Sequence, residues 1–366
     1  MTRSDRSPHG GEIPSGVARI AVDLLGGDGA PAVVVDGALR ACSADPDLHL
    51  LLAGPRDVAD EVIGALPVAD RERVSVSVID AAIGMADSPL RNIRRSTSVR
   101  AAAEAVYTGR ADAMVSAGSS GAAVAASAHV LGRMRGVRRP GLAAQLPTAR
   151  GPVLLIDVGV TLDATMLELV QHAVLGTAYA SVGLGIARPR VGLLSIGSEP
   201  GKGDRLRRAV SIALSDIPLP AGGRYVGLVE GFDVPRGGPA DVVVTDGFTG
   251  NVLLKGLEGA MAVTRPAFAP AQRSAAADGS PDGAAHSTPD APARHEAAAV
   301  LLGVAGDVVV CHGSAAGAEI ADGIALAARL HRDRITPAVA GLADDLLTEL
   351  SSAGGLTIRD ALGERS

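Results

Sequence analysis

The residues best placed to do chemistry in this chain of 366 residues are those in turns that directly follow apolar runs. The run 241–245 leads into Asp246-Gly247-Phe248-Thr249-Gly250-Asn251, after which 252–258 continues with helical spacing. A strand, a tight glycine turn and a helix start aim free backbone N–H groups and the positive end of a helix dipole at one point. That arrangement holds a phosphate or a carboxylate. Glycine lets the backbone approach the anion, Asn251 caps or donates, and Lys255 stands one turn further on with a full charge. The design recurs: 20–23 leads into Gly26-Gly27-Asp28, and 113–116, ending in Ser116, leads into Ala117-Gly118-Ser119-Ser120-Gly121. Likewise 153–157 leads into 158–163, and 308–311 into His312-Gly313-Ser314. One glycine corner says little, because many folds need one; it is the repetition that points to an anion-binding function.

Such turns need strands and helices to position them. The pattern predicts strands over 19–23, 48–53, 74–79, 113–116, 153–157, 190–196, 225–229, 241–245 and 307–311. It predicts helices over 30–42, 58–66, 96–108, 120–134, 164–181, 204–214, 250–263 and 314–330. This alternation implies a three-layer α/β/α fold around a largely parallel sheet, with every glycine turn at the carboxyl ends of the strands, where open α/β folds bind ligands. Residues 1–17 read as a disordered polar tail and 18–335 as the α/β domain. Residues 336–366 read as a C-terminal helix, near 338–351, and a tail. Within the domain, 265–294 is rich in Pro, Ala, Ser, Gly and Asp and reads as a flexible excursion.

The chain is 47% apolar with no Trp, three Phe and three Tyr, so its core must be packed from small aliphatic side chains. A net charge of −6 argues against general nucleic-acid binding. Two local basic clusters, Arg91, Arg94 and Arg95, then Arg133, Arg135, Arg138 and Arg139, are either solvated faces or docking points for an acidic partner. Cys42 and Cys311 form no disulfide or metal pattern; Cys311 beside His312 suggests a thiol nucleophile, but its place at the end of an apolar strand favours a buried, inert thiol. Asp23, Asp28, Asp157, Asp163 and Asp246 fall at strand ends, where carboxylates either gather a divalent metal or, more commonly, hold turns and helix N-termini. No run is long and apolar enough to span a membrane, and a cytoplasmic protein is expected.

Taken in order, these motifs resemble the PlsX family, the phosphate acyltransferases of bacterial phospholipid synthesis. The likeness is carried by Gly26-Gly27-Asp28, by 115–122 with its Ser-Ala-Gly-Ser-Ser-Gly core, by Arg139-Pro140 and by 157–163. It continues through 190–199 with Gly201-Lys202-Gly203, 227–231, the 246–251 turn and His312-Gly313-Ser314. The resemblance implies a homodimer with an isocitrate dehydrogenase-like or phosphotransacetylase-like fold. It also implies acyl transfer from the thioester of acyl carrier protein to inorganic phosphate, without metal or organic cofactor, and an indirect link to a membrane glycerol-3-phosphate acyltransferase. On that reading phosphate lies among Gly26, Gly27, Asp28, Ser116, Gly118, Ser119, Ser120 and Gly121, and among Asp246, Gly247, Gly250 and Asn251. Lys202 or Lys255 balances its charge, His312 moves a proton or holds the oxyanion, and the two arginine clusters receive the acidic carrier protein.

The chain departs from the family at three places. Ser119 stands where the family carries Asn, Thr161 stands where an amide is usual, and 265–294 lacks the apolar face of the family's membrane-touching amphipathic helices. These departures keep a second reading open, that of a non-catalytic relative which binds acyl carrier protein as a regulatory or scaffold subunit.

Overall fold

In the computed structural model, which describes residues 16–81, 95–148, 150–275 and 298–352 and the side chains of these except 262 and 264–275, the apolar runs become eleven strands of one sheet. They are β1 (Ala18–Asp23), β2 (Leu48–Gly54), β3 (Val74–Val78), β4 (Ala113–Ser116), β5 (Gly141–Leu146) and β6 (Val153–Ile156). The remainder are β7 (Arg190–Ser195), β8 (Arg224–Glu230), β9 (Val242–Val244), β10 (Ala298–Leu302) and β11 (Asp307–Cys311). The helices are α1 (Ala32–Ala44), α2 (Arg56–Ala65), α3 (Ser98–Tyr107), α4 (Ser120–Val130), α5 (Met166–Val182), α6 (Arg205–Asp216), α7 (Gly247–Ala275), α8 (Gly317–Arg332) and α9 (Ile335–Ser352).

The strands lie in the order β3-β2-β1-β4-β11-β10-β5-β6-β9-β7-β8. Pairings are parallel on either side of the centre, whereas β11–β10, β10–β5 and β5–β6 are antiparallel. Three reversals in succession mean that β6, β9, β7 and β8 run opposite to β1, β2, β3, β4 and β11. The expectation that all glycine turns share one edge is therefore corrected. The turns after β1, β4 and β11 open at one end of the sheet, and those after β6, β7 and β9 at the other. The two strands absent from the sequence reading, β5 and β10, are the ones that cause this. Their sequences, Gly-Leu-Ala-Ala-Gln-Leu and Ala-Ala-Val-Leu-Leu, hold one β-branched residue between them and become strands through their neighbours.

Two layers of helices bury the sheet. One apolar cluster joins it to α1, α2, α5, α6, α8 and α9, the other to α3, α4 and α7. Helix α5 is buried along nearly its whole length, as expected of a helix apolar on all sides, and starts with a reciprocal cap between Thr165 and Glu168. Helix α9 packs on α5 and buries Val339, Ala343 and Leu347, while the buried Gln171 amide donates to the Gly136 carbonyl at 2.7 Å and to Ser351 Oγ at 3.2 Å. Helix α7 continues to Ala275, beyond the predicted end at 263; between Pro266 and Pro270 the chain is largely Ala, a strong helix former. Residues 276–297 lie outside the described residues.

At the amino end of β11 the Asp307 carboxyl is pushed above the usual carboxylate range by burial, offset in part by a hydrogen bond from Thr336 and by His331, with Asp112 adding to the rise. A carboxyl with a raised folded pKa binds its proton more tightly in the native state, so stability falls as pH rises from about 4 through the folded value. Asp307→Asn removes that cost. Its melting temperature is expected to exceed the parent's at pH 7, with the gain vanishing near pH 4, as read by thermal scans across that range.

Candidate active site

The turn after β4 is built on a buried carboxylate. Ser116 Oγ donates to Asp23 Oδ2 at 2.6 Å, and Gly118 N–H donates to Ser116 Oγ at 3.1 Å. Leu25 N–H donates to Asp23 Oδ1 at 3.3 Å. Burial pushes the Asp23 carboxyl up, and hydrogen bonds from Ser116, Ser98 and Leu25 draw it partly back. The Ser116 hydroxyl and the Gly118 N–H are thus engaged in holding the turn rather than presented to a ligand. Gly26 serves the same packing, because a Cβ there would stand 2.6 Å from Gly118 N. Asp28 N–H donates to the Gly313 carbonyl at 2.7 Å, which ties the first glycine turn to the His312 turn.

Beyond this support, the start of α4 is open. Ser119 is its N-cap residue, yet its hydroxyl makes no capping bond. The N–H groups of Ser120 and Gly121 have no protein acceptor among the described residues. A helix start with unspent donors and a free hydroxyl is an anion receptor.

The 246–251 turn differs. Asp246 caps α7 itself, accepting from Thr249 N at 2.9 Å and from Thr249 Oγ1 at 2.8 Å, and it pairs with Arg207. Burial raises the Asp246 carboxyl, but these donors outweigh it and hold the group below its ordinary value. Gly247 N–H is spent on the Thr161 carbonyl at 2.8 Å, and Gly250 N–H on the Asp246 carbonyl at 2.9 Å. A Cβ on Gly250 would overlap the Asp157 carbonyl oxygen, so this glycine lets α7 press against the turn after β6. The expectation that Asp246, Gly247 and Gly250 cradle phosphate is therefore corrected: a carboxylate already occupies that helix start.

The turn after β6 is closed in the same way. Asp157, fully buried, accepts from Gly159 N at 3.2 Å, Val160 N at 2.9 Å and Thr161 N at 2.7 Å. Thr161 is itself fully buried, and its side chain does not line the cavity described next.

Helix α7 connects the two ends of the sheet. At its start Asn251 Nδ2 donates to the Val158 carbonyl at 3.0 Å; four residues on, about 6 Å along the axis, Lys255 Nζ meets His312 Nε2 at the carboxyl end of β11. Between α7, α4 and the sheet lies a cavity of about 350 Å³. Leu142, Ala144, Leu146, Leu254 and Met261 give it apolar walls, and Ser120, Asn251, Lys255, Glu258, His312 and Ser314 give it a polar side. Such a space, with a few convergent polar groups, fits a small ligand with an apolar part.

Of the predicted site residues, the cavity unites Ser120, Asn251, Lys255 and His312. Lys202 lies elsewhere, exposed in the loop after β7, with its N–H on the Glu199 carbonyl at 3.1 Å. Cys311 is buried and its thiol is pushed up to about 12 by burial, which speaks for the inert thiol favoured from the sequence over a nucleophile. Among the described residues no group of three or more His, Cys, Asp or Glu is arranged to hold a metal. The sequence reading did not single out Glu258; its spacing of three from Lys255, on one helix face, was the available signal.

Arg133, Arg135, Arg138 and Arg139 are exposed in the loop from α4 to β5, at the end of the sheet opposite His312. There Arg139 pairs with Glu168 at 3.2 Å, and Arg133 donates to the Arg138 carbonyl. Arg95 is exposed, while Arg91 and Arg94 lie outside the described residues. No helix is long and apolar enough to cross a membrane among the described residues.

A family model described as "Fatty acid synthesis protein" matches residues 18–336. The phosphate acyltransferase of Bacillus thuringiensis strain Al Hakam is 44% identical over 244 residues, 66% of this chain and 71% of that protein. The phosphate acyltransferase of Bacillus cytotoxicus is 43% identical over the same shares. Among solved structures, a phosphotransacetylase from Streptococcus pyogenes superposes with a TM-score of 0.53 at 16% identity, covering 88% of this chain and 94% of that one. A branched-chain phosphotransacylase from Enterococcus faecalis V583 gives 0.51 at 14%, covering 86% and 99%. At such identities the likeness is one of fold, and it agrees with the mixed α/β architecture expected from the sequence.

Proposed function

The chain belongs to the fatty acid synthesis protein family, and from that premise we propose that this phosphate acyltransferase takes its acyl group from the thioester of acyl carrier protein and delivers acyl phosphate to phospholipid synthesis. The observation that carries this reading is the cavity, in which an open helix start, a lysine and a histidine face apolar walls. Phosphate fits at Ser119, Ser120 and Gly121, where unspent donors and the dipole of α4 meet, and Lys255 adds a full charge. The acyl chain lies along Leu142, Ala144, Leu146 and Leu254. Binding of this kind holds phosphate and carbonyl carbon in contact, and the same donors stabilise the oxyanion as it forms.

Ser119 in place of Asn keeps a hydroxyl donor at this helix start, and Thr161 is fully buried away from the cavity, so its change of side chain removes no donor from it. Both observations favour an active enzyme over the non-catalytic relative. The test is release of free carrier protein from a palmitoyl-carrier thioester, with and without inorganic phosphate. Release that requires phosphate supports the reading; carrier binding without release selects the non-catalytic alternative.

The loop of Arg133, Arg135, Arg138 and Arg139 leads directly into β5, whose Leu142 to Leu146 wall the cavity. It is the proposed dock for the acidic carrier. Reversing Arg135 and Arg138 to Glu is expected to raise KM for the carrier thioester roughly 10-fold, more at low salt, with kcat unchanged. Steady-state kinetics at two ionic strengths check this, and a KM that ignores the reversal places the dock elsewhere. A homodimer and an indirect link to a membrane glycerol-3-phosphate acyltransferase belong to the same proposal, and sedimentation of the purified protein tests the first.

A further inference from the structure

We propose that Ser314, His312 and Glu258 form a proton relay along the polar side of the cavity, with the Ser314 hydroxyl meeting the reacting phosphate and Glu258 acting as the positioning residue for the imidazole. The inference rests on the acyl-to-phosphate reading above.

The hydrogen bonds set the direction of the relay. Ser314 N–H donates to His312 Nδ1 at 3.1 Å, so Nδ1 carries a lone pair and the neutral ring bears its proton on Nε2. Ser314 Oγ stands 2.6 Å from the same Nδ1 and donates to it. On the far side of the ring, Nε2 lies 3.4 Å from Glu258 Oε2, close enough for an ion pair once the ring takes up a second proton. Lys255 Nζ, in contact with Nε2, lies 4.0 Å from the same carboxylate oxygen. The Glu258 carboxylate, facing both, offsets the repulsion between the Lys255 ammonium and a protonated ring. Of the other ionisable groups on the cavity wall, Glu319 is held by the Ala316 N–H at 2.8 Å as a cap of α8 and Cys311 is a buried thiol pushed up by burial, so neither enters the relay.

Hydroxyl, base and carboxylate in this order also suggest a seryl acyl-enzyme. An oxygen ester at Ser314 would hold the acyl group at lower transfer potential than either the thioester or acyl phosphate, so its attack by phosphate would run uphill. A relay has no such difficulty. An unprotonated oxygen of hydrogen phosphate attacks the thioester carbonyl carbon; the new C–O bond forms and the C–S bond breaks. The phosphate proton passes to Ser314 Oγ as the hydroxyl proton moves to His312 Nδ1, and Glu258 stabilises the imidazolium through Nε2. The proton then returns through Ser314 to the departing thiolate, leaving acyl phosphate and free thiol.

The experiment measures kcat and KM for palmitoyl-carrier thioester and phosphate with the full chain, in Ser314→Ala, Ser314→Thr, Glu258→Gln and Glu258→Asp. The Ala and Gln variants are expected to lose about 10- to 100-fold in kcat with both KM values held within about twofold, while Thr and Asp recover most of the loss. Thr keeps the hydroxyl and Asp the charge, so recovery separates the relay from a merely structural role. Ala and Gln variants with parental kcat, or with raised KM alone, overturn the relay and leave the acyltransferase standing. A burst of thiol without phosphate, with acyl mass on Ser314, overturns it in favour of the covalent route. A parent protein that releases no carrier with phosphate present overturns both readings.

Discussion

Replacing His312 by Gln is expected to lower kcat for transfer to phosphate by at least about 100-fold, with no change in thermal stability beyond about 0.5 kcal/mol. The side chain is 32% exposed, lies outside the apolar clusters, and touches Lys255, Glu258 and Ser314, so it adds little to folding. Its two nitrogens connect a hydroxyl to a carboxylate, a connection that Gln cannot make because its amide does not take up and return a proton at neutral pH. The phosphate-dependent release assay, run beside a thermal melt, checks both parts. Activity within a few-fold of the parent would show that acyl transfer here needs no histidine proton transfer.

The second large effect is on folding. Gly250→Ala is expected to cost about 3 kcal/mol, whereas Gly256→Ala, six residues further along the same helix, is expected to add about 1 kcal/mol. Alanine is the better helix former at both places, so propensity alone predicts two gains. The surroundings differ: a Cβ at 250 would overlap the Asp157 carbonyl oxygen and stand 2.8 Å from Thr245 Cγ2, whereas one at 256 meets nothing within 4 Å. The overlapped oxygen belongs to a backbone held by the buried Asp157 carboxylate and cannot swing aside. Urea midpoints of the two variants against the parent decide the matter. Two gains would mean that α7 does not bear on the turn after β6 in solution.

The contrast between these glycines shows where sequence reading reaches its limit. The glycines at 118–121 and 246–250 carry the same signature, small residues between an apolar run and a helical pattern. Spacing makes them equivalent, and the fold does not. At α4 the N-cap hydroxyl and two N–H groups stay open, while at α7 an aspartate and the Thr161 carbonyl consume the donors. Whether a backbone N–H is free depends on what packs against it, and that partner can be as far away in sequence as Thr161 is from Gly247.

Local pattern by itself determined most of the strands and helices, the apolar character of the core and the family likeness, and it singled out Lys255 and His312 as candidates. These follow from side-chain periodicity and turn chemistry, which act over a few residues. Tertiary structure alone decided that β5 and β10 enter the sheet antiparallel and set its two halves in opposite directions. It also decided that α7 spans the resulting gap to bring Lys255 and Glu258 to His312, and that Lys202 stays apart. Two of the three reversals join neighbouring strands, but the one that places β10 beside β5 pairs segments more than a hundred residues apart, as with Ala144 and Ala299, and no short stretch of sequence carries that instruction.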